Sequence, residues 1–183
     1  MREISLHILD IVQNSIAAKA DEIGVDVIED REKDTLTVVI GDNGCGMSAE
    51  FLKKVIDPFT TKRTTRKVGL GIPLFKMAAE NTGGSLEIQS KEGEGTVVTA
   101  VFGLSHIDRQ PLGDMAGTML SLFTAYEDIR FLYKHKIDEK KFFVDTREIK
   151  NVLGDISFQA PEVYLWLSEF LKEGEEELNQ MEV

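Results

Sequence analysis

Cysteine is almost absent from this sequence, and long apolar runs are missing altogether. The 183 residues include a single cysteine, Cys45, so an internal disulfide is excluded. No apolar run approaches the roughly 18 residues that a membrane span requires. The start Met1-Arg2-Glu3 does not resemble a secretory signal peptide, so none is expected. We therefore expect a cytoplasmic protein without a membrane partner.

Positive charge is also scarce. The chain has 21 Lys and Arg residues against 32 Asp and Glu residues, which gives a formal net charge of -11. A chain of this charge repels nucleic acids and anionic membranes, so neither is expected as a main partner. The length suffices for one domain with a sizeable core and an appended subdomain.

Residues 42–47, Asp-Asn-Gly-Cys-Gly-Met, carry the most chemical information in the sequence. The alternating run 36–41 before them predicts a strand that places Asp42 on its apolar face. A carboxylate on such a face needs a partner. The exocyclic amino group of adenine can donate a hydrogen bond to it, whereas the carbonyl oxygen of guanine would be repelled. The simpler alternative is an ordinary Asp-Asn-Gly turn.

A helix is predicted over residues 5–18 from apolar residues at helical spacing. Its positions His7, Asp10 and Asn14 follow the spacing i, i+3 and i+7, which places them in one polar row. In an isolated sequence, a solvated helix face is the more common explanation of such a row.

Four further motifs accompany the run 42–47 in a compatible order. They are His-Ile-Leu-Asp-Ile-Val-Gln-Asn-Ser at 7–15, Asp-Pro-Phe-Thr-Thr-Lys at 57–62, Val-Gly-Leu-Gly-Ile-Pro at 68–73 and Gly-Glu-Gly-Thr at 93–96. Together the five motifs resemble the N-box, glycine boxes and F-box of the GHKL superfamily, named for DNA gyrase, a heat-shock chaperone, histidine kinases and MutL. The resemblance spans about residues 5–103 and is closest to the catalytic domain of histidine kinases.

The resemblance implies that the protein binds ATP and Mg²⁺. It makes Asn14 the magnesium ligand, since a neutral amide oxygen suits this ion. Asp10 becomes the candidate general base, although hydrolytic members carry a glutamate there, one methylene longer. Ala17 stands where many histidine kinases have a basic residue. The other implied nucleotide-binding residues are Asp42, Gly44, Gly46, Met47, Phe59, Thr61, Lys62, Gly69, Leu70, Gly71 and Thr96.

Residues 59–68 are predicted to form a lid over the ATP. The segment has no large apolar side chain after Phe59, so it cannot pack a core of its own. Closure would bring its cations and hydroxyl groups onto the triphosphate. Gly69 and Gly71 lead into a helix with Pro73 in its first turn, where free backbone N–H groups would face phosphate oxygens. The lid cations are Lys62, Arg63, Arg66 and Lys67.

The fold expected from these patterns is α+β, a two-layer α/β sandwich of the GHKL (Bergerat) type. The nucleotide would lie between the helical layer and the lid. Two hairpins and a helix complete the ATP-binding domain, which we place at residues 1–103. The predicted strands are 23–27 with 36–40 and 86–90 with 96–102, and the helix is 73–80.

Residues 104–183 lie beyond the resemblance and are predicted to be an αββα-like extension of unknown role. Thr146 is expected to cap a short helix, and the acidic run 173–177 to be a frayed tail. A helix that begins at Pro161 and carries Trp166 either covers the sheet or forms a homodimer interface. The other predicted elements are a helix at 114–124 and a hairpin at 129–135 and 141–144.

Residues 105–112, Ser-His-Ile-Asp-Arg-Gln-Pro-Leu, resemble the phosphoacceptor box of histidine kinases. A neutral imidazole is a competent nucleophile, which makes His106 a candidate phosphoacceptor. In the kinases this box precedes the ATP domain and an acid follows the histidine. Here the box follows the domain and Ile107 replaces the acid. A loop histidine with an accidental neighbourhood is the alternative.

Three functions are compatible with these residues. The first is phosphoryl transfer from ATP to a histidine or serine of a protein in signalling or regulation. The second is an ATPase whose lid closure drives dimerisation or assembly with a partner. The third is a regulator that senses nucleotide without turnover. In each case a protein partner or phosphoacceptor is expected.

Overall fold

A computed structural model describes residues 3–56 and 70–180 of the chain. Across these residues six helices accompany one six-stranded sheet. None of the described helices is long and apolar enough to cross a membrane. In chain order the elements are α1 (Ile4–Ala17), β1 (Glu22–Asp30), β2 (Thr35–Asp42), α2 (Ala49–Ile56), α3 (Gly71–Glu80), β3 (Ser85–Lys91), β4 (Gly95–Gly103), α4 (Met115–Ala125), β5 (Arg130–Ile137), β6 (Lys140–Asp145), α5 (Thr146–Leu153) and α6 (Pro161–Asn179).

The strands lie in the order β3-β4-β2-β1-β5-β6. Both hairpins of the N-terminal half are antiparallel, as predicted, and β2 also pairs antiparallel with β4. The β5–β6 hairpin joins the sheet through a parallel pairing of β5 with β1, in which Ile23 lies opposite Phe131. The segment after residue 103 therefore continues the same sheet. The division into two units at that residue remains a prediction.

One face of the sheet is buried along its whole width. Val25, Val38, Ala100 and Tyr133 lie on four neighbouring strands and are all 0% exposed. The helices that cover this face follow the strand order, with α3 against β3 and β4, α1 against β2, and α6 against β5 and β6. Helix α4 packs against both α1 and α6. This arrangement is the two-layer α+β sandwich expected from the sequence.

The N-cap residue of α5 differs from the one predicted from the sequence. The Asp145 carboxylate accepts a hydrogen bond from the Arg147 N–H at 2.9 Å, so Asp145 is the N-cap residue. Thr146 is the first residue of the helix, and its hydroxyl accepts from the Phe131 N–H at 2.9 Å. The prediction that Thr146 caps the helix is therefore wrong, because its side chain bonds to the neighbouring strand.

The acidic run 173–177 lies inside α6, so its prediction as a frayed tail is also wrong. Gly174 is buried in this run, and a Cβ there would lie 2.3 Å from the Phe142 ring. Because glycine lacks a Cβ, the helix can approach β6 closely. Glu175 then reaches Tyr133 and His135 on β5. The buried side of α6 is formed by Leu167, Leu171, Gly174 and Leu178.

Candidate functional site

The last residue of β2, Asp42, is held by two hydrogen bonds. The Ser15 hydroxyl donates to Oδ2 at 2.6 Å, and the Gly44 N–H donates to Oδ1 at 2.9 Å. Ser15 comes from α1 and is 3% exposed, while Asp42 is half-buried. Asp42 continues the buried face of β2, as its alternation predicts. Each carboxylate oxygen keeps a lone pair for a further donor, because an ionised carboxylate offers about four acceptor positions.

The loop after Asp42 is packed too closely for side chains at its two glycines. A Cβ on Gly44 would lie 2.8 Å from the carbonyl oxygen of Ala18, which also accepts from the Cys45 N–H at 2.9 Å. Gly46 has a φ of +66°, and a Cβ there would lie 2.0 Å from the carbonyl oxygen of Lys91. Glycine is required at both positions. The loop is thereby fixed between the end of α1 and the β3–β4 turn.

A short chain of hydroxyl groups places Met47 and Thr96 beside this loop. The Met47 N–H donates to the Ser90 hydroxyl at 2.8 Å, and this hydroxyl lies 2.8 Å from the hydroxyl of Thr96. Thr96 on β4 is the register partner of Asp42 on β2. The structure therefore brings Asp42, Gly44, Gly46, Met47 and Thr96 together, as the motif order implies.

Asp10 and Asn14 lie exposed on α1, one helical turn apart. Neither side chain forms a hydrogen bond with another residue in the described part of the chain. Gly71, the first residue of α3, faces Asp10, and a Cβ on it would lie 3.2 Å from the Asp10 Cβ. The start of α3, which follows the exposed Leu70, therefore lies beside Asp10, and its first N–H groups have no partner within the helix. Asn14 is one turn further along α1.

His7 does not share this exposed row, although its spacing predicts that it would. Its side chain is 1% exposed and stacks on Phe75 of α3 with the ring centroids 5.2 Å apart. Its Nε2 lies 3.0 Å from Oε1 of Gln110. Burial lowers the pKa of His7 below its ordinary value. His7 therefore serves as a neutral packing contact between α1 and α3, beneath the site.

The donor set beside α3 suits Mg²⁺. No cluster of three His, Cys, Asp or Glu side chains within residues 3–56 and 70–180 could enclose a metal ion. A site made of one or two exposed side-chain oxygens is open, and Mg²⁺ bound at such a site keeps several waters and is also held by nucleotide phosphates. Asn14 and Asp10 supply oxygens of this kind.

Several residues implied by the motifs fall outside the described residues. These are the F-box and lid residues, with the Gly69 that precedes α3. Their roles therefore remain predictions. The named positions are Phe59, Thr61, Lys62, Arg63, Arg66, Lys67 and Gly69.

His106 lies away from the other candidates. It stands three positions after Gly103, the last residue of β4, and its backbone N–H donates to the Gly103 carbonyl at 3.3 Å. Thr96 is near the opposite end of β4. Thr96 and Gly103 are seven positions apart on an extended strand, which corresponds to a distance on the order of 20 Å. The structure does not bring His106 to the site around Asp42 and Asn14.

The motif around His106 is tied to other parts of the fold. The Ser105 hydroxyl donates to Asp34 at 2.8 Å, and Arg109 Nε donates to the Leu104 carbonyl at 2.6 Å. Pro111 and the residue after it accept hydrogen bonds from the first N–H groups of α1. These contacts give the serine, arginine and proline of the motif structural roles. A phosphoacceptor role for His106 stays a prediction.

The roles of two serines in the site, Ser15 and Ser90, were not predicted from the sequence. Ser15 falls in the apolar stripe of α1, where a small hydroxyl residue resembles core packing rather than a ligand contact. Its hydrogen bond to Asp42 is visible only once the helix lies on the sheet. Ser90 belongs to no motif, and only its register opposite Thr96 reveals that it links to Met47. A hydroxyl group in an otherwise apolar stripe is the signal that can identify Ser15.

Comparison with known proteins places the sequence motifs in one family. Residues 2–106 match the family described as histidine kinase-, DNA gyrase B-, and HSP90-like ATPase. A putative sensor protein of Shewanella frigidimarina is 32% identical over 103 residues, which cover 55% of this chain and 16% of the relative. The sensor protein SrrB of Staphylococcus aureus is 40% identical over 81 residues, 42% of this chain and 14% of that protein. The match thus spans less than a fifth of each of these relatives.

The fold also resembles a solved structure. The N-terminal domain of a DNA repair protein aligns with 85% of this chain at a TM-score of 0.51 and 14% sequence identity, and the alignment covers 58% of that structure. At this identity the likeness concerns the fold alone. The alignment reaches beyond the 57% of the chain that residues 2–106 represent, so it includes part of the C-terminal extension.

Proposed function

Because this chain belongs to the histidine kinase-, DNA gyrase B-, and HSP90-like ATPase family and carries an ATP-binding domain of the kinase type, we propose that it transfers the γ-phosphoryl group of Mg-ATP to a histidine or serine of a protein. The observation that carries the proposal is the Asp42 carboxylate, fixed by Ser15 and Gly44, because Ser15 comes from the same helix as the exposed pair Asp10 and Asn14.

Asp42 would read the base of the nucleotide. Its carboxylate is held by two donors and keeps acceptor positions for the amino group of adenine, whereas the guanine carbonyl would be repelled. The glycine loop allows the base to approach the backbone closely. The Thr96 and Ser90 hydroxyl groups border the same place and add neutral hydrogen-bonding capacity.

Asn14 and the start of α3 would hold the phosphates. Asn14 would hold Mg²⁺ through its neutral amide oxygen, and the ion would supply positive charge to the phosphates. The first N–H groups of α3, which have no partner within the helix, favour anionic ligands. Since Ala17 cannot neutralise charge, the lid cations would complete the neutralisation.

Asp10 would act as the general base. It would take the proton from the attacking hydroxyl or imidazole while the γ-phosphorus forms a bond to that group and its bond to the ADP oxygen breaks. ADP then leaves with the bonding electron pair. With water as the attacking group, the same step would yield free phosphate, which is the ATPase alternative. A nucleotide sensor would bind ATP without either product.

Two charge-removing variants separate binding from chemistry. Asp10 is exposed and has no partner among the described residues, so Asp10→Asn should keep the fold and the affinity for a fluorescent, non-hydrolysable ATP analogue while turnover falls about a hundredfold. Asp42→Asn keeps the shape of the side chain but removes its charge, so it should weaken analogue binding about tenfold or more. Glu176→Gln, on the exposed side of α6, is the matched control and should change neither quantity.

The deciding measurement uses γ-labelled ATP and Mg²⁺. Label retained on a protein supports phosphoryl transfer, and His106→Ala tests whether the chain labels itself. Free phosphate that disappears in Asp10→Asn supports the ATPase. An increase in the mass of the particle in solution when the analogue is added would show that ATP binding also drives assembly. Analogue binding that is unaffected by Asp42→Asn would contradict the proposed base recognition.

A further inference from the structure

An apolar groove lies between α5 and α6, on the opposite flank of the helical layer from α3. It has a volume of about 360 Å³ and is lined by five residues. Val152 in its wall is 87% exposed and Trp166 is 48% exposed, an unusual degree of exposure for large apolar side chains. The lining residues are Glu148, Ile149, Val152, Leu153 and Trp166.

Trp166 is held in place at this groove. Its indole stacks on Phe170 with the ring centroids 5.3 Å apart and an interplanar angle of 9°. Phe170 in turn packs against Phe142 of β6 at 5.5 Å. The indole is therefore a fixed platform that loses little conformational entropy when a partner covers it. Large aromatic side chains in such positions commonly dominate binding energy.

The rim of the groove is acidic. Relative to Trp166, the residues Glu162, Glu169 and Glu173 stand at i−4, i+3 and i+7, so they share its side of α6. Glu148 lies in the wall formed by α5, and Asp155 follows that helix. All five carboxylates are exposed, and none forms an ion pair with a cation in the described part of the chain.

The cations of α5 and α6 do not neutralise the negative charge of this rim. Lys150 of α5 pairs with Glu127 and lies over the Phe158 ring, 4.4 Å from its centroid. Arg147 and Lys172 stand at helical positions on other faces than Val152 and Trp166. A second copy of this chain would bring a second acidic rim against the first, which is unfavourable.

We propose that the α5–α6 groove binds a basic amphipathic helix of a partner protein. The apolar face of such a helix would place leucine-sized side chains on Val152 and Trp166, and its flanking lysines or arginines would face the five rim carboxylates. A groove between two helices suits anchors at i, i+3, i+4 and i+7 of the incoming helix. The surface is separate from the ATP site and independent of the proposed phosphoryl transfer.

Trp166 is the only tryptophan of the chain, so its fluorescence reports on the groove directly. The probe is an amphipathic peptide of about four helical turns, with leucines at i, i+3, i+4 and i+7 and lysines between them. Titration into the full chain should shift Trp166 emission to shorter wavelength and saturate. A peptide of the same composition in scrambled order, and one with glutamate in place of lysine, should not saturate.

Three protein variants test whether binding occurs at the groove. Val152→Asp changes a side chain that is already 87% exposed, so the fold should persist while affinity falls about tenfold. Ile107→Asp, which alters a 94% exposed apolar residue in a distant loop, is the matched control and should bind normally. The triple change E162Q/E169Q/E173Q should weaken binding and flatten its salt dependence.

Three outcomes would overturn the proposal. The first is the absence of saturable binding by the lysine peptide, and the second is binding that Val152→Asp leaves unchanged. The third is concentration-dependent self-association in sedimentation that Val152→Asp abolishes, because this would show that a second copy occupies the groove.

Discussion

Two histidines are buried in different regions of the molecule, one on a helix and one on a strand, and their surroundings give them different protonation states. His7, between α1 and α3, is 1% exposed and contacts the Phe75 ring and the Gln110 amide. Burial lowers its pKa, so it is neutral. His135 on β5 is 0% exposed and lies 2.7 Å from Glu175 and 3.5 Å from Glu29. Burial opposes its protonation, but the two carboxylates outweigh burial and raise its pKa to about 9.

The difference shows how the two halves of the fold are held together. The carboxylates that flank His135 come from β1 in the N-terminal half and α6 in the C-terminal extension. A buried cation therefore links three elements across the parallel β1–β5 pairing. Beneath the candidate site, α1 and α3 meet through the stacking of His7 on Phe75, and His7 also forms one neutral hydrogen bond with Gln110 of the β4–α4 connection. Removing a charge should consequently matter much more near His135 than near His7.

Glu175→Gln should give the largest effect on stability. The change leaves the His135 cation with only the more distant Glu29, and it weakens the acceptor of the Tyr133 hydroxyl, now 2.6 Å away. Removing one partner of a buried ion pair costs about 3 kcal/mol or more of the free energy of unfolding. Urea denaturation at pH 7 measures this loss.

The control for Glu175→Gln is its exposed neighbour. Glu176→Gln makes the same chemical change on the solvent side of α6 and should alter the free energy of unfolding by less than about 0.5 kcal/mol. Equal effects of the two variants would mean that His135 is not a buried cation.

The pH dependence of stability should have opposite slopes for the two histidines. The pKa of His135 is raised, so its contribution is complete below pH 6.5 and is lost as the pH rises toward 9. This loss is on the order of 3 kcal/mol. The pKa of His7 is lowered, so its contribution is present above pH 6.5 and is lost as the pH falls. Urea denaturation across this range should show both slopes.

Single substitutions assign each slope to its histidine. His135→Asn should remove most of the alkaline loss and leave the acid side unchanged. His7→Phe should do the reverse. An alkaline slope that persists in His135→Asn would assign that slope to another group and contradict the prediction.

The N-terminal half was the more predictable part of this molecule, for physical reasons. The α1, β1, β2 and β4 boundaries follow the periodicity of local apolar residues, because each element buries one face. Glycines required by close backbone contacts, such as Gly44 and Gly46, are visible in the sequence as well. Where a motif fixes the local geometry, the chemistry of the site can be inferred with it.

The features that could not be predicted from the sequence depend on contacts between residues far apart in the chain. Nothing near His135 in the sequence indicates that Glu29 and Glu175 will flank it, so the burial of Glu175 within an acidic run could not be predicted. The predicted polar row on α1 was wrong at His7 for the same reason, because Phe75 and Gln110 cover the His7 side chain only in the folded chain. Periodicity identifies a face but does not tell which neighbour covers it.

The smallest effects are expected around His7, because no charge is buried there. Gln110→Ala removes the hydrogen bond to Nε2 and should cost about 1 kcal/mol of the free energy of unfolding. Gln89→Ala, at an exposed position of β3, is the matched control and should cost almost nothing.

His7→Phe keeps an aromatic ring against Phe75. It loses the hydrogen bond to Gln110, but it also removes a buried Nδ1 that has no hydrogen-bond partner among the described residues. The loss and the gain should offset each other, so the free energy of unfolding should change by less than about 1 kcal/mol. A loss as large as that of Glu175→Gln would mean that His7 carries a charge, and the contrast between the two histidines would then fail.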